Sequence, residues 1–256
     1  MKKNLIVLSV LLMTLFISAC VAVVERSNAD LEKASLINAK LGLAYLQKGS
    51  FKTANSKLLK ALEQDSDNAV AHLYMAELQK ILKVKDKANE HYKKAIALDP
   101  EYTRAKNNYG VFLCANGQYQ QSVILFADVL QDPLYSEKIG VYENLGLCEQ
   151  LRGNMHLAER HFRHALKLDN NLPKSLLGMT QISFDSGLYK PAKRYYARYL
   201  ALARQTPESL WIGFLLERKY KNKKAAESYS TILRVKFPDS EEAILLDKLE
   251  GKDGLE

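Results

Sequence analysis

Residues 141–168 read VYENLGLCEQLRGNMHLAERHFRHALKL. Apolar residues recur at helical spacing on both sides of Gly153, a turn residue that splits the stretch into two helical segments. Gly146 lies in the first segment and Ala158 follows it twelve residues later. Phe162 comes four residues after that, and Ala165 three further on. Small residues on both segments let two antiparallel backbones approach closely. The bulky ring and its neighbour then fill the space toward whatever packs next.

The pattern repeats in both directions along the chain. Small residues stand at Gly42, Ala76, Gly110, Gly146, Thr180 and Gly213, with steps of 34, 34, 36, 34 and 33. Twelve residues after each come Ala54, Ala88, Ser122, Ala158, Ala192 and Ala225. The bulky position holds Leu58, Tyr92, Phe126, Phe162, Tyr196 and Tyr229. The fourth holds Ala61, Ala95, Val129, Ala165, Tyr199 and Ile232. This register resembles the tetratricopeptide repeat, in which no unit buries its apolar face alone and stacking completes the core. The fold expected is an all-α tetratricopeptide-repeat solenoid of six helix pairs plus a C-terminal capping helix, Ser240–Leu249. Turn signals fall at Gly49, Gly117, Gly153 and Gly187 inside pairs, and at Asp99-Pro100 and Phe237-Pro238 after them. The match weakens in the last two units, where Ser183 and Tyr199 replace the usual residue types. The expected division is a signal peptide at 1–19, an anchor and linker at 20–30, repeats at 31–238, and a cap with tail at 239–256.

The amino terminus gives an address. Lys2 and Lys3 precede an apolar run from Leu5 to Phe16, then Ser18 and Ala19, the three parts of an export signal. The run is shorter than the about 20 residues a membrane helix needs. Ile17-Ser18-Ala19-Cys20 resembles the bacterial lipobox, whose cysteine receives diacylglycerol and becomes the new amino terminus. Several acyl chains on Cys20 would anchor durably, at about 0.8 kcal/mol per buried methylene. That covalent lipid is the only non-protein group expected. Val21 stands where inner-membrane lipoproteins commonly carry Asp, which by resemblance favours the inner leaflet of the outer membrane, facing the periplasm.

The formal charge of +8 falls to about +6 once Lys2 and Lys3 are removed. The cations are interleaved with Glu and Asp and form no arginine-rich arm, so nucleic-acid binding is not expected. Enzyme signatures are missing too: no phosphate-binding glycine loop, no His-Glu-x-x-His, no Gly-x-Ser-x-Gly. About 18 residues beyond the last unit leave no room for a catalytic domain. No catalytic residue, small-molecule substrate or metal is expected. His156, His161 and His164 cluster in unit four, but a metal wants a third ligand in geometry and these positions usually face outward.

Cys114 and Cys148 remain after Cys20. The periplasm is oxidising, and both lie near the ends of first helices in units three and four, so a disulfide is open to them. Two buried free thiols are the alternative.

First helices line the concave face of such a solenoid, and their exposed side chains are its usual binding surface. In unit one the groove positions are Leu36, Ala39, Leu43 and Leu46, which either take a partner's helix or strand or join the core. In units three and four the groove carries Arg104, Asn107, Asn108, Glu143 and Asn144. Asn108 and Asn144 share one repeat position, where an amide can both donate to and accept from an extended peptide. Trp211, the only Trp, takes that position in unit six as anchor or packing.

Three segments carry a further resemblance. They are Asn107-Asn108-Tyr109-Gly110-Val111-Phe112-Leu113-Cys114, the longer connection Gln131-Asp132-Pro133-Leu134-Tyr135, and Val141-Tyr142-Glu143-Asn144-Leu145-Gly146-Leu147-Cys148. With the 36-residue step they look like the type IV pilus biogenesis and stability lipoproteins, the pilotins that help an outer-membrane secretin assemble. The resemblance implies a lipidated Cys20, a secretin partner and non-covalent chaperoning, and it supports the Cys114–Cys148 bridge. A general outer-membrane scaffold for barrel-protein or peptidoglycan machinery shares the lipid and the repeats, and only the partner separates the two.

Overall fold

A computed structural model describes residues 28–253, all of whose regular structure is α-helical. The lipobox, with Cys20, lies outside the described residues. Helix α1 spans residues 28–47. It is followed by α2 Phe51–Gln64, α3 Ala69–Ile81, α4 Lys85–Leu98, α5 Thr103–Ala115, α6 Tyr119–Gln131 and α7 Lys138–Leu151. Then come α8 Met155–Leu168, α9 Pro173–Asp185, α10 Tyr189–Leu202, α11 Pro207–Lys219, α12 Lys223–Lys236 and α13 Glu241–Asp253. The described residues form two compact units that divide between Tyr109 and Gly110, inside α5.

In the first unit α3 packs against α4 and α2 against α3. Ala54, Leu58, Ala61, Ala88, Tyr92 and Ala95, one face of α2 and one of α4, are fully buried. A polar tie crosses this core. The Ser35 hydroxyl donates to the Ala61 carbonyl at 2.7 Å and accepts from the Asn68 amide at 2.8 Å. Asn68 in turn caps α3 through the Ala71 N–H. The buried polar groups in this chain of bonds are paired, which offsets their desolvation while the tie orients α1.

In the second unit α7 pairs with α8, α9 with α10, and α11 with α12. Each pair also packs on the next, and α13 lies against both α11 and α12. The small-to-large rule operates at Gly110, where an added Cβ would sit 2.8 Å from the Phe126 ring. Phe162 is held from two sides. A Cβ on Gly146 would lie 2.5 Å from one edge of its ring, and one on Gly178 would collide with the other. One ring thus joins its own pair to the following pair.

The last pair departs from the expected register. Ala226, Ser230 and Leu233 are the buried positions of α12, while Ala225, Tyr229 and Ile232 are only partly covered. Second helices start at Phe51, Lys85, Tyr119, Met155, Tyr189 and Lys223, so the final step is 34 rather than 33. On that step the counterpart of Thr180 is Phe214, not Gly213. Gly213 is small for another reason: the Tyr196 hydroxyl of the preceding pair occupies the space a Cβ would need. The pair therefore reverses the usual sizes, with a ring at Phe214 on the first helix and Ser230 at the bulky position of the second. Phe214 packs with Leu210, Ala226, Leu233, Ala243 and Leu246, which includes the capping helix.

Turns inside the pairs use a left-handed residue to close the first helix. Gly49, Gly117, Gly153 and Gly187 have φ between 72° and 88°. Pairs two and six place Lys83 (φ 60°) and Lys221 (φ 57°) there instead. Lys221 N–H still bonds the Arg218 carbonyl and Asn222 N–H the Glu217 carbonyl, so the turn is intact but strained. A side chain in this region costs roughly 1–2 kcal/mol, against a smaller entropic penalty for glycine. Lys221→Gly should stabilise the chain by about 1 kcal/mol, read as a higher midpoint in denaturant. A midpoint that stays or falls would show that the lysine side chain holds the turn by contacts stronger than its strain.

Candidate protein-binding surface

Helix α1 of the first unit shows which apolar residues are offered outward. Ala39 is fully buried and Leu46 is 8% exposed, so both belong to the core, in line with the small and apolar residues of the pair interface. Leu36 remains 36% exposed and Leu43 is half-buried. Leu31, Ile37 and Leu41 are also exposed, so α1 presents more apolar side chain than the repeat positions alone announce. The inward side is held by Ser35 and by Asn38, whose amide donates to Gln64 at 2.7 Å.

Also in the first unit, Glu77 gathers a network of side chains around its carboxylate. It is the one acid of α3, and its Oε1 accepts from the Tyr92 hydroxyl at 2.5 Å and from the Asn108 amide at 3.1 Å. Lys80 pairs with its other oxygen. Burial and the Glu77 carboxylate together push the Tyr92 phenol well above its ordinary pKa, keeping it a donor. Asn108 is thus committed to the adjoining helix, and it also accepts from Asn107 at 3.3 Å. Arg104 is exposed.

In the second unit Glu143 is committed in the same way. Its Oε1 accepts from both the backbone N–H and the hydroxyl of Ser175, each at 3.0 Å. Ser175 lies in the first turn of α9, where a carboxylate satisfies an orphan N–H and meets the positive end of the helix. Glu143 thereby caps the first turn of the next repeat. Asn144 is half-buried on the same helix. Trp211 stacks on Phe214 at 5.7 Å and packs against the cluster of the capping helix. Leu134, in the longer connection between α6 and α7, is 89% exposed.

Cys114 and Cys148 are joined as a disulfide, with their Cα atoms 5.7 Å apart, within the normal span of a bridge. The bond ties α5 to α7 and lies against Phe126, Val129, Val141 and Leu145. The three histidines of α8 do not converge on a metal site. The Tyr142 ring lies 4.0 Å from the His164 ring and 6.3 Å from that of His161. Burial, with Arg160 and His164 nearby, lowers the His161 pKa. Among the described residues no group of three or more His, Cys, Asp or Glu is placed to hold a metal ion. No described helix is long and apolar enough to cross a membrane.

The comparisons with known proteins bear on what such a surface serves. No protein-family profile matches the chain. It is 34% identical over 201 residues to the type IV pilus assembly protein PilF of Pseudomonas aeruginosa, covering 78% of this chain and 80% of that protein. The chain belongs to the PilF/PilW family of type IV pilus biogenesis factors. The solved structure of P. aeruginosa PilF superposes with a TM-score of 0.75 at 32% identity, over 86% of this chain and 99% of that one. PilW, described as a widely conserved type IV pilus biogenesis factor, gives 0.74 at 28% identity, over 83% and 97%. This PilF/PilW-family chain is therefore an all-α tetratricopeptide protein of pilus assembly, and its surface is that of a protein-binding scaffold. The resemblance read from the segments around Asn107–Cys114 and Val141–Cys148 named the same family.

Proposed function

We propose that the chain is an outer-membrane-anchored periplasmic lipoprotein that binds secretin subunits and promotes their localisation and multimerisation during type IV pilus biogenesis. The observation that carries this reading is the 34% identity to PilF over four-fifths of that assembly protein. Lipid on Cys20 delivers the protein to the inner leaflet of the outer membrane. The repeats hold a secretin segment without covalent chemistry, as a binding module does, and no cofactor takes part. The exposed apolar residues of α1, Leu36 with Ile37 and Leu41 and the half-buried Leu43, support a docking face for an amphipathic or extended segment. Arg104 in the first unit and Asn144 in the second are proposed as polar contacts. Ala39, Leu46, Asn108 and Glu143 serve the scaffold beneath them.

The test follows secretin in unboiled outer-membrane fractions of a strain lacking the gene, complemented with wild type, Cys20→Ala or Leu36→Glu. The expected result is loss of the heat-stable multimer with monomer retained, and rescue by wild type alone. Cys20→Ala should leave multimers in the wrong membrane, and Leu36→Glu should abolish rescue while the protein stays folded and anchored. Unchanged multimers in the deletion strain would remove secretin assembly and favour a scaffold for other outer-membrane machinery.

A further inference from the structure

Basic side chains in the second unit are not spread evenly over the helices. Helix α10 carries Lys190, Lys193, Arg194 and Arg198 and no acidic residue. A cleft of about 380 Å³ lies beside it, lined among others by Arg163 of α8, Arg194, Tyr195 and Arg198. A second, of about 490 Å³, continues it with Arg163, Lys167, Tyr195 and Arg198. Together these clefts hold four cationic side chains against the single carboxylate of Glu159.

Two of the cations already have company. Arg163 pairs with Glu159 at 2.7 Å, and Arg198 donates to the Asn170 carbonyl at 2.5 Å. Both are fixed in the cleft wall, and neither the Glu159 partner nor the carbonyl cancels the whole. Lys167 and Arg194 have no ion-pair partner among the described residues. Exposed apolar groups are interleaved with the cations: Leu188 in the cleft wall is 56% exposed, and Tyr220 borders a further shallow cleft with Lys190 and Arg194 on the other side of α10, where Lys193 pairs with Glu217 at 2.8 Å and lies over the Tyr220 ring.

We propose that the α8–α10 face binds the phosphates of anionic phospholipids at a membrane surface. Guanidinium forks match phosphate oxygens two at a time, and Lys167 adds a point charge. Cations opening onto clefts on both sides of α10 suit a sheet of headgroups better than a single extended peptide, which would want one bounded groove. Leu188 and Tyr220 supply the amphipathic tips that sit at a headgroup boundary. The inference rests on the anchoring reading only for how the chain meets a leaflet. With the acyl chains holding the chain at the leaflet, a basic face would turn the repeats toward the headgroups, at about 1 kcal/mol per cation near the surface.

The experiment uses the full chain with Cys20→Ala, so that no acyl chain contributes. Co-sedimentation is compared on phosphatidylcholine vesicles and on vesicles containing one-third phosphatidylglycerol, so that binding by the apolar leader is common to both. Each cation near an anionic leaflet is worth about fivefold, so Lys167→Ala, Arg194→Ala and Arg198→Ala together should cut the phosphatidylglycerol-dependent affinity roughly 100-fold. Removing equal charge from α4, as Lys85→Ala, Lys87→Ala and Lys93→Ala, should change it far less. Inorganic phosphate at matched ionic strength should not compete. Equal loss in both triple variants, or no phosphatidylglycerol-dependent binding, overturns the proposal. So does competition by inorganic phosphate, or by poly-glutamate with the same arginine dependence, which would mark a site for a free anion or an acidic polypeptide. Lipidation of wild-type Cys20, read by mass of the mature amino-terminal peptide, is scored separately, so either idea can fail without the other.

Discussion

Alanine at position 162 should lower the unfolding free energy by about 3–5 kcal/mol, the range for removing a large buried aromatic from a packed site. Phe162 is fully buried, and it is the element shared by two consecutive pairs, with Gly146 before it and Gly178 after it. Its loss therefore opens a void on both sides, and helical backbones held by their own hydrogen bonds cannot collapse to fill it. A double-mutant cycle tests the geometry more sharply than the single change. Gly178→Ala alone should destabilise by about 1–3 kcal/mol, because the new methyl meets the ring. In a Phe162→Ala background the same substitution should stabilise by up to about 1 kcal/mol, since only the helix propensity of alanine then remains. Denaturant midpoints of the four proteins decide it. If Gly178→Ala has the same sign in both backgrounds, the ring does not lie against that glycine.

Breaking the Cys114–Cys148 bridge is the second large effect. The linkage spans 34 residues, and in the chain-entropy picture a loop of that length contributes about 3–4 kcal/mol by restricting the unfolded chain. Cys148 is fully buried and Cys114 nearly so, and a free thiol is a tolerable small hydrophobe in such a site. Reduction should therefore leave the packing in place and remove mainly the constraint. For a chain of this size the melting temperature should drop by roughly 10 °C in reductant. Cys148→Ala should show the lower value whether or not reductant is added. Equal melting of wild type under both conditions would mean that the two cysteines are free thiols.

Much of the fold was legible because one physical demand, close approach of two backbones, selects small residues at a fixed spacing. Gly110 with Phe126 and Gly146 with Phe162 are that demand written twice. Spacing misleads where a second demand mimics the first. Gly213 is small to admit Tyr196 from the neighbouring pair, and it sits one residue before the true counterpart Phe214, so the shortened step looked natural. Lys83 and Lys221 hid two turns because nothing in a lysine announces positive φ. The surface was harder still. A helix between two neighbours has apolar residues on more than one side, and periodicity alone does not say that Ala39 and Leu46 turn inward while Leu36 stays out. Asn108 and Glu143 read as groove residues because their partners, Glu77 and Ser175, lie 31 and 32 residues away. Glu77 and the Ser35–Asn68 tie carried one signal, a polar residue inside an apolar helical pattern, which is where a buried network is to be sought.

The reversed sizes of the last pair also bear on how such arrays change over generations. Repeats are gained, lost and traded as blocks, and a block is interchangeable only if its internal fit matches that of its neighbours. Recombination that joined α11 to the second helix of an ordinary pair would set two rings against each other, and the reciprocal product would face a glycine with a serine and leave a hole. The last pair must move whole or not at all. Because Phe214 shares its cluster with Ala243 and Leu246 of the cap, α13 has to travel with it. The carboxy-terminal end, α11 to α13, thus behaves as one heritable module, keyed to the pair before it where Gly213 admits Tyr196.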